Sequence, residues 1–282
     1  MTAPLPDAHL QRCFIAACEL DVAALKPGNV RIDQPASGMS AHDFVRSAHA
    51  CAPALCQRDA SVGHRVLEAI RSTRRVVQCN TNLGIVLLAA PLCCAAQQAG
   101  TDLRTALVQQ LAQLSRQDAV QVYQAIRIAR PGGMGTRTRH DLNSEPQVTL
   151  LEAMREAQDH DSIARQYACG FRDIFDLGVR HWQEALARFG DEARSMTDLY
   201  LVYLSAWPDS LIERKFGAAT AQAVSARARE LHSQFAAYGH TDDFELQLLG
   251  WDEQLRSAGL NPGTSADLTV ATVFAAKLMQ AV

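Results

Sequence analysis

The sequence predicts an all-α fold, and three observations predict it. Apolar residues recur at three- and four-residue intervals along most of the chain, and no run alternates as a strand would. Aromatic residues make up only 6% of the 282, few for a sheet-rich protein. With 48% hydrophobic and 20% charged residues, the chain can bury a sizeable core and lacks the composition of a disordered one. No linker, internal repeat or low-complexity tract divides it, so residues 1–282 are read as a single helical domain.

The elements follow in order. Glu19 precedes Lys26 by seven residues, so one continuous helix sets both on the same face until Pro27-Gly28 ends it. Ser40-Ala41-His42-Asp43 reads as a capping box that opens a helix through Phe44, Ala48, Cys51 and Leu55. Val66, Ile70 and Val77 mark the next helix. Its polar face carries Arg71, Arg74 and Arg75, and either of the last two can turn inward at the helix end. The apolar run Leu83–Ala96 is too short to span a bilayer and contains Pro91, which makes it a buried core helix. Ile163, Tyr167, Phe171 and Ile174 share one helical face. Further helix starts are read at Thr149–Glu152 and at Ser195-Met196-Thr197-Asp198, then at Ser210-Leu211-Ile212-Glu213 and Thr264-Ser265-Ala266-Asp267. Three loops stand out, 26–40, 130–147 and 259–263. The second holds Pro131-Gly132-Gly133-Met134-Gly135 and is long enough to suggest function.

Bulk charge narrows the function. A net charge of -3 and a pI near 6.3 argue against nucleic acid or an anionic membrane as partner. No signal peptide precedes the first helix. The eight cysteines form no CxxC pair and most lie in apolar runs, which fits reduced thiols in a cytoplasmic protein. No nucleophile elbow, HExxH or GxGxxG after a strand is present. The inventory of carboxylates, amides and basic groups suits direct displacement between bound substrates.

Several residues can carry such chemistry. Glu19 and Lys26 either face one cavity or form a surface acid and a helix-end cation. Asp43 either binds a metal or a ribose hydroxyl, or completes the Ser40 cap, and Asp267 has the same ambiguity beside Thr264. The cluster Cys79-Asn80-Thr81-Asn82-Leu83-Gly84 exceeds what one N-cap needs, so ligand contact is expected of part of it, with Gly84 permitting close approach. The helix it opens favours an anion at its N-terminus. Asn29 follows Lys26-Pro27-Gly28, and Asn261 precedes Pro262-Gly263-Thr264. Arg137 and Arg139, behind the glycines of the second loop, suit phosphate capture.

Taken together, these stretches resemble the triphosphoribosyl-dephospho-CoA synthase family. The resemblance rests on Glu19 through Lys26-Pro27-Gly28, Asp43-Phe44-Val45-Arg46-Ser47-Ala48, Asn80-Thr81-Asn82-Leu83-Gly84, and Asn261 through Asp267. It runs from about residue 15 onward and implies an all-helical fold. It also implies transfer of the 5′-triphosphoribosyl group of ATP to the 2′-hydroxyl of dephospho-CoA, with release of adenine. On that reading Glu19, Asp43 and Asp267 are catalytic, and Glu19 or Asp43 holds Mg2+ with the bound nucleotide. Substrate contacts come from Lys26, Asn29, Asn80, Thr81, Asn82, Gly84, Arg137, Arg139, Asn261 and Thr264.

The expected partners are a nucleotide or phosphoribosyl donor and a coenzyme-like acceptor, without nucleic acid or membrane, and a homodimer is left open. The chain departs from the family where Asn82-Leu83 replaces His-Lys and Asn29 replaces Leu. In this it is similar to a branch associated with methanopterin-type one-carbon metabolism, and a related phosphoribosyl transfer there is the alternative. A non-catalytic nucleotide-binding helical protein is the second alternative.

Overall fold

The computed structural model describes residues 4–34, 38–98, 100–132, 144–238 and 241–280. The described residues form fourteen α-helices and one π-helical segment joined by loops, with no strand. They are α1 Asp7–Ala23, α2 Ala41–Leu55, α3 Val62–Val76, α4 Leu83–Ala96, α5 Leu103–Ala112, α6 Arg116–Ala129 and α7 Leu150–Ala157. After them come α8 Ser162–Cys169, the π-helix Asp173–Val179, α9 Arg180–Phe189, α10 Glu192–Ala206 and α11 Ser210–Phe216. The chain closes with α12 Ala218–Tyr238, α13 Asp242–Ser257 and α14 Gly263–Gln280.

Two helices form the centre. Every residue of α4 is buried, which its uniformly apolar sequence demands. Pro91 sits inside it without ending it. On α14, thirteen residues from Thr264 to Leu278 are buried, and Asp267 is among the few that are not fully covered. At roughly 1.5–3 kcal/mol for each large aliphatic side chain removed from water, these two helices supply much of the folding drive. The largest hydrophobic cluster wraps them with α1, α2, α3, α6, α8 and the π-helix. A second cluster joins α10 to α11, α12 and α13, with Ala266 reaching in from α14.

Caps explain where several helices begin. Ser40–Asp43 and Thr149–Glu152 form complete capping boxes, as the sequence suggests, and Ser115–Asp118 forms a third. Elsewhere an aspartate wins the position. Asp191 caps α10, so Ser195 lies inside the helix and donates to the Asp191 carbonyl at 2.6 Å. Asp209, not Ser210, caps α11. Thr264 lies within α14 rather than ahead of it.

The stretch from Ile163 to Ile174 is two elements, because Gly170 and Phe171 both take positive φ and break the periodic helix. The π-helix that follows packs against α14 through Gly178. A Cβ there would collide with the Tyr203 hydroxyl and Thr272. Among the described residues, no helix is long and apolar enough to cross a membrane.

Candidate active site

The cavity opens where the N-termini of α4 and α14 meet the turn after α1. Its volume is about 580 Å³, and it is lined by Asp21 and Asn29, by residues 78–85, by Arg130 to Gly132, and by Asn261 to Asp267 with few gaps. Asp161, which caps α8, Ile163 of α8, and Arg214 and Lys215 of α11 also line it.

The turn after α1 is held from behind. Helix α1 stops at Ala23, and Ala24 is extended, so Glu19 and Lys26 do not share a helical face. Glu19 is half exposed and pairs with His49 at 3.2 Å on the surface, outside the cavity. The expectation that Glu19 serves the site required the helix to run to Lys26. Asp21, on the same helix, is the α1 carboxylate that lines the cavity.

Lys26 is fully buried behind Asp21. Its Nζ lies 3.1 Å from Asp21 Oδ1 and donates to Asn29 Oδ1 at 2.9 Å. Burial pushes the Lys26 ammonium down and the Asp21 carboxyl up, and their mutual attraction opposes both shifts. Lys26 does not line the cavity, so it is placed to hold Asp21 and Asn29 and not to touch phosphate.

The remaining bonds explain the sequence Pro27-Gly28-Asn29. Tyr200 donates to the Pro27 carbonyl at 2.7 Å, and the Gly28 N–H donates to Asp252 Oδ1 at 2.7 Å. Arg256 bonds both Asp252 and the Asn29 carbonyl. Gly28 has φ of 80°, and a Cβ on it would come within 2.8 Å of the Leu260 carbonyl, so this position requires glycine. Asn29 Nδ2 then donates to Asn261 Oδ1 at 2.9 Å, tying the first loop to the third.

The central polar cluster divides its labour. Thr81 donates to Ser47, which in turn donates to the Asp43 carbonyl, pinning the turn to α2. Asn82 looks inward, accepting from Thr73 at 3.2 Å and donating to Cys51 Sγ. Asn80 Oδ1 accepts from the Leu83 N–H at 3.2 Å, satisfying one of the orphan donors of α4. Capping thus accounts for Asn80, and buried bonding accounts for Asn82 and Thr81. Asp43 completes the Ser40 cap, its carboxyl held low by the Ser40 bonds, and it does not line the cavity. The helix cap thus explains Asp43 without a ligand.

Asp267 is different. Burial drives its carboxyl well above the usual range, with Asp21, Asp209 and Asp161 adding repulsion and Arg214 opposing. Among the described residues it makes no hydrogen bond or ion pair. It lies against Gly84, where a Cβ would overlap the Asp267 carboxylate and Ile163. Its helix is fixed by Asp209, a buried residue with no recognisable sequence motif. Asp209 caps α11 through Oδ1 and accepts from the Ser265 N–H and hydroxyl through Oδ2, each at 2.8 Å. Thr264 accepts from Ser210 at 3.1 Å in the same joint.

Four cations among the described residues line the same cavity: Arg74, Arg130, Arg214 and Lys215. Arg214 Nη1 donates to Asp161 Oδ2 at 2.6 Å, while Arg214 Nε is buried with no hydrogen-bond partner. Arg74 turns inward, as the sequence allowed, and Arg75 stays exposed. Arg74 and Arg130 also line an adjoining groove with Arg71 and Arg127. The structure therefore gathers Asn29, Asn80, Thr81, Asn82, Gly84, Asn261, Thr264 and Asp267 around one cavity and leaves Glu19, Lys26 and Asp43 off its wall. Arg137 and Arg139 lie outside the described residues.

A cavity lined by Asp21, Asp161 and Asp267, by four cations and by a buried helix N-terminus suits a polyphosphate substrate with a reacting hydroxyl. Comparison with known proteins decides the family. The model for ATP:dephospho-CoA triphosphoribosyl transferase matches residues 7–282. The chain belongs to this family. One solved structure, provisionally described as a triphosphoribosyl-dephospho-CoA synthase from Archaeoglobus fulgidus, superposes with a TM-score of 0.66. The two share 26% identity, over 83% of this chain and 97% of that one. No curated protein matches significantly. As a family member, this chain is an all-α enzyme of coenzyme assembly that moves a phosphoribosyl group from ATP to dephospho-CoA.

Proposed function

We propose that ATP and dephospho-CoA meet in this cavity and that Asp267 takes the proton from the attacking 2′-hydroxyl. The observation that carries this reading is Asp267: a cavity carboxylate with no hydrogen bond or ion pair among the described residues, its proton affinity raised by burial, the direction a general base needs. As the hydroxyl oxygen bonds to C1′, the bond from C1′ to the adenine nitrogen breaks. Adenine leaves with that electron pair and is protonated.

Arg74, Arg130, Arg214 and Lys215 face the triphosphate, and the first-turn N–H groups of α4 beyond Leu83 add a fixed positive end. The orphaned Nε of buried Arg214 is a donor awaiting such an anion. Asp21 and Asp161 each have a cation behind them, Lys26 and Arg214, that fixes their orientation as an outer shell does. Each of these carboxylates suits a Mg2+ travelling with the nucleotide, an ion that usually takes one or two carboxylates besides phosphate. When bound, it would neutralise charge on the triphosphate. Eight free cysteines suit a reducing compartment, and the cytoplasm is the proposed location.

The test is direct. Purified protein with Mg-ATP and dephospho-CoA should release adenine in step with the coupled product, and Asp267→Asn should abolish the release. Tight ATP binding without adenine release in the presence of dephospho-CoA would sink the assignment of acceptor. Release restored by a pterin-linked acceptor would point to the one-carbon branch.

A further inference from the structure

Outside the cavity lining, three side chains on three helices converge: His181 of α9, Asp198 of α10 and His232 of α12. One donor atom from each lies within 4.8 Å of the other two. His181 Nε2 is 2.7 Å from Asp198 Oδ2, and His232 Nε2 is 3.3 Å from Oδ1. Only the first contact is aligned as a hydrogen bond, since Asp198 Oδ1 is buried without a hydrogen-bond partner. The His232 nitrogen thus aims beside the oxygen and not at it. The two rings meet at 62° with centroids 5.7 Å apart, so their nitrogens approach from different directions.

We propose that His181, Asp198 and His232 bind one divalent transition-metal ion of the Zn2+ class, which ties α9 and α12 to α10. Two imidazoles and one carboxylate form the donor set that Zn2+, Co2+ and Ni2+ favour, whereas Mg2+ prefers oxygen ligands alone. The imidazoles are about a quarter exposed and the carboxylate is nearly covered. An ion can therefore enter from solvent and keep water on its open side. None of the three residues lines the catalytic cavity, so this ion is distinct from any that accompanies the nucleotide. Its role is structural. Asp198 lies two residues before Tyr200, whose hydroxyl holds the Pro27 carbonyl, so fixing α10 also steadies the turn behind Asp21.

The experiment uses the full chain, stripped with a chelator and titrated with Zn2+ and with Co2+. One equivalent should bind at micromolar affinity or tighter, with a rise in Tm of about 5 °C at a hundredfold excess over Kd. His181→Gln and His232→Gln should each weaken binding at least ~10-fold, while His64→Gln leaves it unchanged. Both glutamine variants keep a donor toward Asp198, and circular dichroism checks their fold. Imidazole nitrogen shifts in the unsubstituted protein locate the ion without any substitution. Binding that survives both variants, Co2+–thiolate charge-transfer bands, or no binding at tens of micromolar Zn2+ each overturns the proposal. The trio is then a hydrogen-bonded bridge alone.

Discussion

Gly84 lies directly beneath the Asp267 carboxylate, and a methyl group in its place would occupy the space that the carboxylate fills. Two motifs separated by more than 180 residues are thus fitted to each other at the level of one atom. Gly84→Ala should push Asp267 aside or force α4 from α14. Overpacking of this kind costs about 1–3 kcal/mol. The expected result is at least a ~100-fold fall in kcat with a lowered Tm. Normal activity in a well-folded Gly84→Ala protein would show that Asp267 need not stand where it does.

Asp267 itself predicts opposite effects on stability and rate. Its folded proton affinity is raised, so the folded state binds the proton more tightly than the unfolded chain. Stability falls as pH climbs from the ordinary carboxyl range to the raised value. Above that window the ionised, crowded carboxylate is a standing cost. Asp267→Asn should therefore be more stable at neutral pH by about 1 kcal/mol, or roughly 2–4 °C in Tm. It should also lose ~100-fold or more in kcat. The unsubstituted enzyme should gain activity as pH rises through that same window, and a flat profile would remove Asp267 as the base.

The buried Lys26–Asp21 pair gives a third outcome. Replacing one partner strands the other in the interior, so Lys26→Met should destabilise by about 3–5 kcal/mol. The double replacement Asp21→Asn with Lys26→Met should recover a good part of that loss, since no charge is then orphaned. Urea denaturation of the three proteins measures the coupling. Equal stabilities would mean that the pair is open to water.

Surface assignments are equally testable. Glu19→Ala breaks only an exposed pair with His49 and should change kcat and stability little. Asp43→Ala removes a capping carboxylate and should cost about 0.5–2 kcal/mol with kcat preserved. Steady-state kinetics and thermal melts separate the two readings. A large kcat loss in either variant would restore that residue to the chemistry.

Arg214→Lys keeps the charge but loses the fork that reaches Asp161 while leaving Nε inward. The KM for ATP should rise about tenfold or more and become more sensitive to salt. An unchanged KM would place the triphosphate elsewhere.

Much of the frame can be read from the residues alone. Periodicity and capping residues predict α2, α3, α4 and α7, because in those segments the local signal and the tertiary burial agree. They fail at Phe171, where two left-handed residues interrupt a perfect apolar repeat, and at Ser195, where a nearby aspartate outcompetes a serine cap. Within the site, the loops at Asn29, Asn80 and Asn261 are legible because their clustered polar residues exceed local needs. Asp21 is not, since its partner status depends on where α1 ends. Nor are Asp161, Asp209 and Arg214, whose meaning comes from contacts spanning about fifty residues. The sequence also overstates Asn82: three polar residues before a helix look like ligand contacts, yet this one is spent on Thr73 and Cys51.

The contacts of Gly28 with Asp252 and Leu260 bear on how the molecule comes into being. A ribosome releases the Lys26–Asn29 segment long before α13 exists, so the nascent chain has nothing against which to seat it. Nucleotide affinity should appear as a single late event near the end of synthesis, with no graded precursor. High sequence separation makes this joint slow to form, and early release of the polypeptide would yield helices without an enzyme.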